Sequence, residues 1–326
     1  ATTSTLMNLV MIVFAAWVAP SFDRPGIALA IGVFVAGVVQ LAFQVPYLVR
    51  MGLLRRPRWH WSDAGVRKIG RLMLPAIFGS SVSQVALLLD VLIASFLATG
   101  SIAWLYYADR LMEFPLGVFS IALATVILPG LAAHHAAQAP ERFASTLDWA
   151  LRLVVVVVLP ATAALVVLAG PLTVTIFHYG KFDAHDVRMA SLALMAYASS
   201  LLAFSMVKVL APGYFARQDT RTPVRIGIQA LSVNMGLNLL VVLPLALAFP
   251  DRPGLHALLA LNNGIGAWFN SIMLYRGLRR QGVLHHAPGW RRMLWQVLAG
   301  NAVMVGFLWL VAGETQRWID MGAWSR

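Results

Sequence analysis

In the run WLYYADRLMEFP, residues 104–115, three ionisable side chains stand together in an otherwise apolar stretch: Asp109, Arg110 and Glu113. Residues three and four apart are neighbours on a helix, so Asp109 and Glu113 share a face and Arg110 can pair with Glu113. Two kinds of chemistry are open to such a trio. It is a salt-bridged group near an interface, because Asp109 lies roughly 12 Å into its helix at about 1.5 Å per residue. Alternatively it is a site in a hydrated cavity, with Arg110 meeting an anion and the carboxylates orienting it.

A second constellation lies on two other stretches. Ser80, Ser81, Ser83 and Gln84 precede Asp90, and Asn234 and Asn238 stand four apart on one helical face. An unpaired aspartate inside a membrane helix needs a cation or a partner. A carboxylate with amide oxygens is a donor set for Na+ or a proton relay; interhelical hydrogen bonding is the plainer use of the same residues. Lys208 ends an apolar stretch and can extend its stem to an interface. His134, His135, His285 and His286 fall in connections, and the chain has no HExxH, P-loop or nucleophile-elbow pattern. With no cysteine, disulfides and thiolate metal sites are excluded. These residues describe a transporter or a scaffold and not an enzyme, with no resident cofactor, Na+ at the Asp90 group remaining one of the alternatives.

The elements that must hold these groups follow from composition. The chain of 326 residues is 60% hydrophobic and 12% charged, against about a quarter charged in soluble domains. Lipid is therefore its main solvent. Stretches of about 20 apolar residues can span a bilayer, and nine are expected: 5–20, 26–49, 70–97, 102–132, 150–169, 188–212, 224–248, 254–278 and 293–312. All should be α-helical, since a lone strand in lipid leaves backbone groups unpaired.

Strict alternation across these nine puts seventeen of the Lys and Arg residues on the side of the 50–71 loop and six on the other. Positive charge concentrates on cytoplasmic loops. The net charge of +12 is therefore topological and not a nucleic-acid footprint. The chain is expected to begin on the cytoplasmic side and end outside, and its first residue, which is not Met, suggests a piece of something longer.

The runs LPAIFGSSVSQVALLLDVLIASFLATGSIAWLYYADRLMEFPLGVFSIALATVILPGL, GPLTVTIFHYGKF and VKVLAPGYFARQDTRTPVRI resemble the MurJ (MviN) family of lipid II flippases. That family lies within the multidrug/oligosaccharidyl-lipid/polysaccharide exporter superfamily. The resemblance runs through essentially the whole chain, and YYADRLMEFP and LAPGYFARQDTRTP are its most specific runs. It implies an all-α polytopic membrane protein, here nine helices of a two-lobe, fourteen-helix fold, shortened at both ends. Residues 1–49 would be a remnant of the N-terminal lobe, 50–70 a basic cytoplasmic linker, 71–290 the C-terminal lobe, and 291–326 a further helix and outer tail.

The resemblance also assigns roles. Arg110, with Asp109 and Glu113 beside it, would line a cavity for the lipid II pyrophosphate, where an Arg fork fits better than a Lys point charge. Asp90, Asn234 and Asn238 match positions where some members bind Na+. The implied activity is movement of the undecaprenyl-pyrophosphate-linked peptidoglycan precursor to the periplasmic leaflet of the bacterial inner membrane. Membrane lipids are its surroundings, and a monomer is expected. Within the same superfamily the alternatives are a flippase for another lipid-linked oligosaccharide or a Na+-coupled drug exporter, and a truncated paralogue could be a scaffold.

Overall fold

The computed structural model describes residues 2–52, 67, 84–85, 87–249, 252–285 and 287–321. Among the described residues the chain is helical with turns, and no strand is present. It divides into two compact units, Ala1–Leu72 and Met73–Arg326.

In the first unit, α1 (Thr2–Val13) continues through a π turn, Phe14–Val18, and a 3-10 turn, Ala19–Ser21. Pro20 lies in that last turn and Pro25 opens α2 (Pro25–Arg50). A proline at a first helical position loses nothing, because its missing N–H would be unpaired there in any case. The side chain of Phe14 lies against Gly32 of α2, where an added Cβ would come within 2.9 Å of the ring.

Among the described residues of the second unit, the first continuous helical stretch is 87–95, here α3. Then come α4 (Ser101–Pro115), a π turn at Leu116–Ile121, and α5 (Ala122–Ala136). Next are α6 (Pro140–Val167), α7 (Ala169–Phe177), α8 (Ala184–Ala198) and α9 (Leu201–Phe215). The chain continues with α10 (Arg221–Leu237), a π turn at Asn238–Val242, α11 (Leu243–Ala248), α12 (Leu255–Arg280), α13 (Trp290–Ala312) and α14 (Thr315–Asp320).

Among the described residues six helices are long and apolar enough to cross a membrane: Gly26–Arg50, Ser101–Ala136, Pro140–Val167, Ala184–Phe215, Arg221–Ala248 and Trp290–Ala312. A shorter apolar helix covers Thr5–Ser21. The protein is therefore a multi-pass membrane protein. The expected span at 254–278 is helical as α12, but Asn262, Asn263 and Asn270 make it more polar than the six. It tolerates them because it packs against α8, α9 and α10, which bury Asn262 and His256. The expected 50–70 linker and the first half of the 70–97 span, with Ser80, Ser81 and Ser83, lie almost entirely outside the described residues.

Several boundaries differ from the expected spans, and α5 runs to Ala136 and so carries His134 and His135 on a helix. The span expected from residue 150 sits in a helix that begins at Pro140, so Arg142 lies on the same helix as Arg152 and not in a connection. Arg152 stays there because its Nε, its Nη2 and its guanidinium face are all engaged. Its Nε donates to Asp148 (2.8 Å), Nη2 donates to the carbonyls of Ala287 (2.7 Å) and Pro288 (3.0 Å), and its guanidinium stacks 5.3 Å from the Trp290 ring. The Trp290 indole donates to the other Asp148 oxygen at 2.6 Å. This latch ties the start of α13 to α6.

The main core joins α5, α6, α9 and α12 around Leu131, Leu147, Leu210, Tyr214 and Leu278. Glycines allow the closest approaches. A Cβ at Gly264 would meet Ser200 at 2.8 Å, and one at Gly266 would meet the Ala230 carbonyl at 3.1 Å and the Asn234 side chain at 3.2 Å. Small residues at membrane-helix contacts bring backbones together in this way. Here they carry α12 to within reach of the asparagines on α10.

Candidate functional site

Asp109, Arg110 and Glu113 are aimed by the anchoring of α4 at its N-terminal end. Gly100, at φ +103°, lets the Trp104 ring fold back over it; an added Cβ would stand 2.6 Å from that ring. Trp104 is buried and donates its indole N–H to Asp186 at 2.7 Å. It packs 5.0 Å from His256 and 5.5 Å from His185. His256 in turn meets the Met189 carbonyl at 2.9 Å. Asp186 also belongs to the capping box that starts α8, with Asp183 accepting from the backbone N–H groups of His185 and Asp186. Donation from the Asp186 backbone N–H first, then from that of His185, holds the exposed Asp183 carboxyl below its ordinary value. One turn further along α4, Tyr107 stacks on Phe177 at 4.7 Å and Phe182 at 5.4 Å. The helix therefore has a fixed rotation.

That rotation divides the trio. Asp109 faces a cavity of about 220 Å³, which is also lined by Asp90, Tyr106, Tyr197, Leu259 and Asn263. Arg110 points to the exposed flank, where Nη1 donates to Glu113 at 2.6 Å and the guanidinium sits 5.0 Å from the Tyr106 ring centroid. The Arg110 and Glu113 side chains are 53% and 49% exposed. Tyr106 separates the two environments, with the cavity on one side and the cation on the other.

The second constellation comes together, with a member the sequence reading did not single out. Asn238 Nδ2 donates to Asp90 Oδ1 at 2.7 Å and to Asn234 Oδ1 at 3.2 Å, while Asn238 Oδ1 accepts from Asn262 Nδ2 at 2.8 Å. Asn234, Asn238 and Asn262 are all buried. Asn238 is the first residue of the π turn in its helix, and the π turn after Pro115 starts at Leu116, just beyond Glu113. Wide turns of this kind recur at functional sites in helices. Asp90 belongs both to the amide ladder and to the cavity that Asp109 faces, so two groups separate in sequence form one polar region. The described residues hold no cluster of three or more His, Cys, Asp or Glu side chains that could bind a metal. Any cation here would depend on amide oxygens.

The specific run around LAPGYFARQDTRTP has a structural use of its own. Tyr214 is fully buried and donates to the Leu274 carbonyl at 2.9 Å. Asp219 accepts from the hydroxyl and the backbone N–H of Thr222 at 2.6 and 3.0 Å. Those bonds, the hydroxyl's foremost, hold its carboxyl below the ordinary range. The run thus fixes the α9–α10 turn. Lys208, on the exposed side of α9, ion-pairs with no carboxylate among the described residues.

Fold and site together define a helical membrane protein with a polar cavity set among its spans. The family model described as Lipid II flippase MurJ matches residues 1–323. The probable lipid II flippase MurJ of Haemophilus influenzae is 45% identical over 98% of this chain, and that of Vibrio cholerae 46% identical over 99%. The chain belongs to the MurJ lipid II flippase family. It spans 62% and 60% of the lengths of those two relatives. A solved structure, Lipid II flippase MurJ in an inward closed conformation, shares the fold with a TM-score of 0.76 at 18% identity, covering 95% of this chain and 60% of that one.

Proposed function

We propose that the chain works as part of a flippase that carries lipid II from the cytoplasmic to the periplasmic leaflet of the bacterial inner membrane. It is a transporter and not a catalyst. In this reading it contributes nine crossings to a fourteen-helix, two-lobe fold, with the lobes meeting at the 50–70 linker. The lobes rock about a midplane site to give alternating access.

The observation that carries the reading is Arg110. A guanidinium inside a span is held by an exposed i,i+3 pair with Glu113, and one bond to Glu113 leaves most of its five N–H donors for a second partner. A pyrophosphate takes such a fork in charge-assisted, two-point bonds. Glu113 then fixes the direction of the arginine, while Asp109 faces the cavity beside it.

Na+ coupling at Asp90, Asn234 and Asn238 is part of the proposal. The Asn238 amide now presents its N–H side to Asp90 and Asn234. Turning the Asn238 and Asn262 amides together would instead present Asn238 Oδ1 beside the Asp90 carboxylate and Asn234 Oδ1, an all-oxygen set that suits a hard cation.

The test uses the full-length reading frame in cells depleted of their own flippase, reading accessibility of lipid II to a degrading enzyme added outside. Wild type should expose lipid II and Arg110→Ala should not, at equal expression. Near-normal exposure with the variant would remove Arg110 from the transport site. No exposure with folded wild type would shift the cargo to another lipid-linked oligosaccharide.

A further inference from the structure

We propose that the outward face of α12 is a docking site for an anionic membrane phospholipid, separate from the transported cargo. Its phosphate would sit on Arg276, Arg279 and Arg280, and an acyl chain would run along the same face.

Arg276, Arg279 and Arg280 recur at three- and four-residue spacing, so they share one side of the helix end. With Ile272 and Tyr275 they line an open pocket of about 610 Å³. Arg279 and Arg280 also complement the helix dipole in the last turn. That role does not explain Arg276, one turn earlier, converging on the same pocket. Among the described residues none of the three forms an ion pair. The neighbouring corner adds charge of the same sign, because Arg217 donates to Gln281 at 2.6 Å and so draws the α9–α10 turn against the end of α12. The carboxylate of that turn, Asp219, is already committed to Thr222.

Below the arginines an apolar track continues on the same side. Leu261, Ile265, Trp268 and Ile272 follow at four, three and four residues and are 42%, 42%, 36% and 40% exposed. From 261 to 272 the track rises about 17 Å, close to the roughly 15 Å depth of one leaflet. A cationic head over a leaflet-deep apolar track matches a phospholipid in both charge and length. Basic pockets among membrane helices on the cytoplasmic side take anionic headgroups on this basis. A soluble anion would use the arginines and leave the track unused.

To test this, the chain is reconstituted in phosphatidylcholine vesicles and titrated with phosphatidylglycerol or phosphatidylcholine brominated in the acyl chains. Quenching of Trp268 is taken as the difference between wild type and Trp268→Phe. Phosphatidylglycerol should reach half-maximal quenching at about tenfold lower mole fraction than phosphatidylcholine. The variant Arg276→Gln/Arg279→Gln/Arg280→Gln should bring the two lipids within about twofold of each other, with an unchanged helical circular dichroism spectrum. A matched variant, Arg142→Gln/Arg291→Gln/Arg292→Gln, removes the same charge elsewhere on that side and should keep the preference. An unchanged preference in the first variant overturns the proposal. So does an equal loss in both variants, which would reveal bulk surface attraction. Inorganic pyrophosphate binding at these arginines without lipid quenching of Trp268 would reassign the pocket to a soluble anion.

Discussion

Two arginines with acidic partners on their own helix behave differently in this protein. Arg152, on α6, is paired with an Asp148 whose side chain is 4% exposed, and it also reaches two backbone carbonyls and an indole ring. Arg110, on α4, has one exposed carboxylate partner and one ring. The first group is closed on itself and acts as a fastener. The second keeps donors in reserve, and the carboxylate next to it in sequence, Asp109, faces a cavity. An ion pair whose donors are taken up by several partners holds structure, whereas one with a single exposed partner is placed to meet something else.

The largest effect expected from breaking this comparison is at the latch. Asp148→Ala strips the partner from Arg152 and from the Trp290 indole, and losing one member of a buried pair costs about 3 kcal/mol. Denaturant titration in detergent should show that loss. Lipid II exposure per folded molecule should stay near wild type if the latch is purely structural.

Next is the amide ladder. Asn238→Leu leaves Asp90, Asn234 and Asn262 each short of a bond, at about 2 kcal/mol. Any Na+ dependence of transport should vanish in the same variant, measured as exposure of lipid II with and without the ion. Persistence of that dependence would place the coupling ion elsewhere.

Arg110→Ala should change stability by less than about 1 kcal/mol, since exposed pairs contribute little, while abolishing transport. The contrast with Asp148→Ala is what gives the comparison its content. If both variants cost stability equally, the division into fastener and site fails.

The smallest effect is a pH response at the helix caps. The Asp183 and Asp219 carboxyls are held below their ordinary value by backbone and hydroxyl donors. Their contribution is complete above the unfolded value of about 4 and is lost as pH falls through the lower folded values. Limited proteolysis between pH 6 and pH 3 should show the starts of α8 and α10 loosening at the acid end. Asp183→Asn keeps a capping oxygen and should flatten that response at α8.

Much of this was readable before the fold was known. Apolar length located the helices, and three- and four-residue spacing placed Arg110 beside Glu113 and Asn234 beside Asn238, because neighbours within one helix follow from its pitch alone. The motif runs carried the family. Asn262 and Asn263 were visible as an amide pair inside LLALNNGIGAW but were not singled out, since nothing local says which helix they meet. Asp148 fell outside the span expected from residue 150 because the helix that holds it starts in a polar stretch.

What the sequence determined by itself was therefore membership in the family, a lipid-embedded helical chain, and the contacts made within one helix. Those depend on composition and on a fixed 3.6-residue period. The tertiary structure alone decided that Asp109 turns away from Arg110 to share a cavity with Asp90, and that Asn262 completes the ladder. Helix rotation and helix partners are set by glycine contacts, aromatic anchors and buried hydrogen bonds between segments far apart in the chain, and no local pattern encodes them.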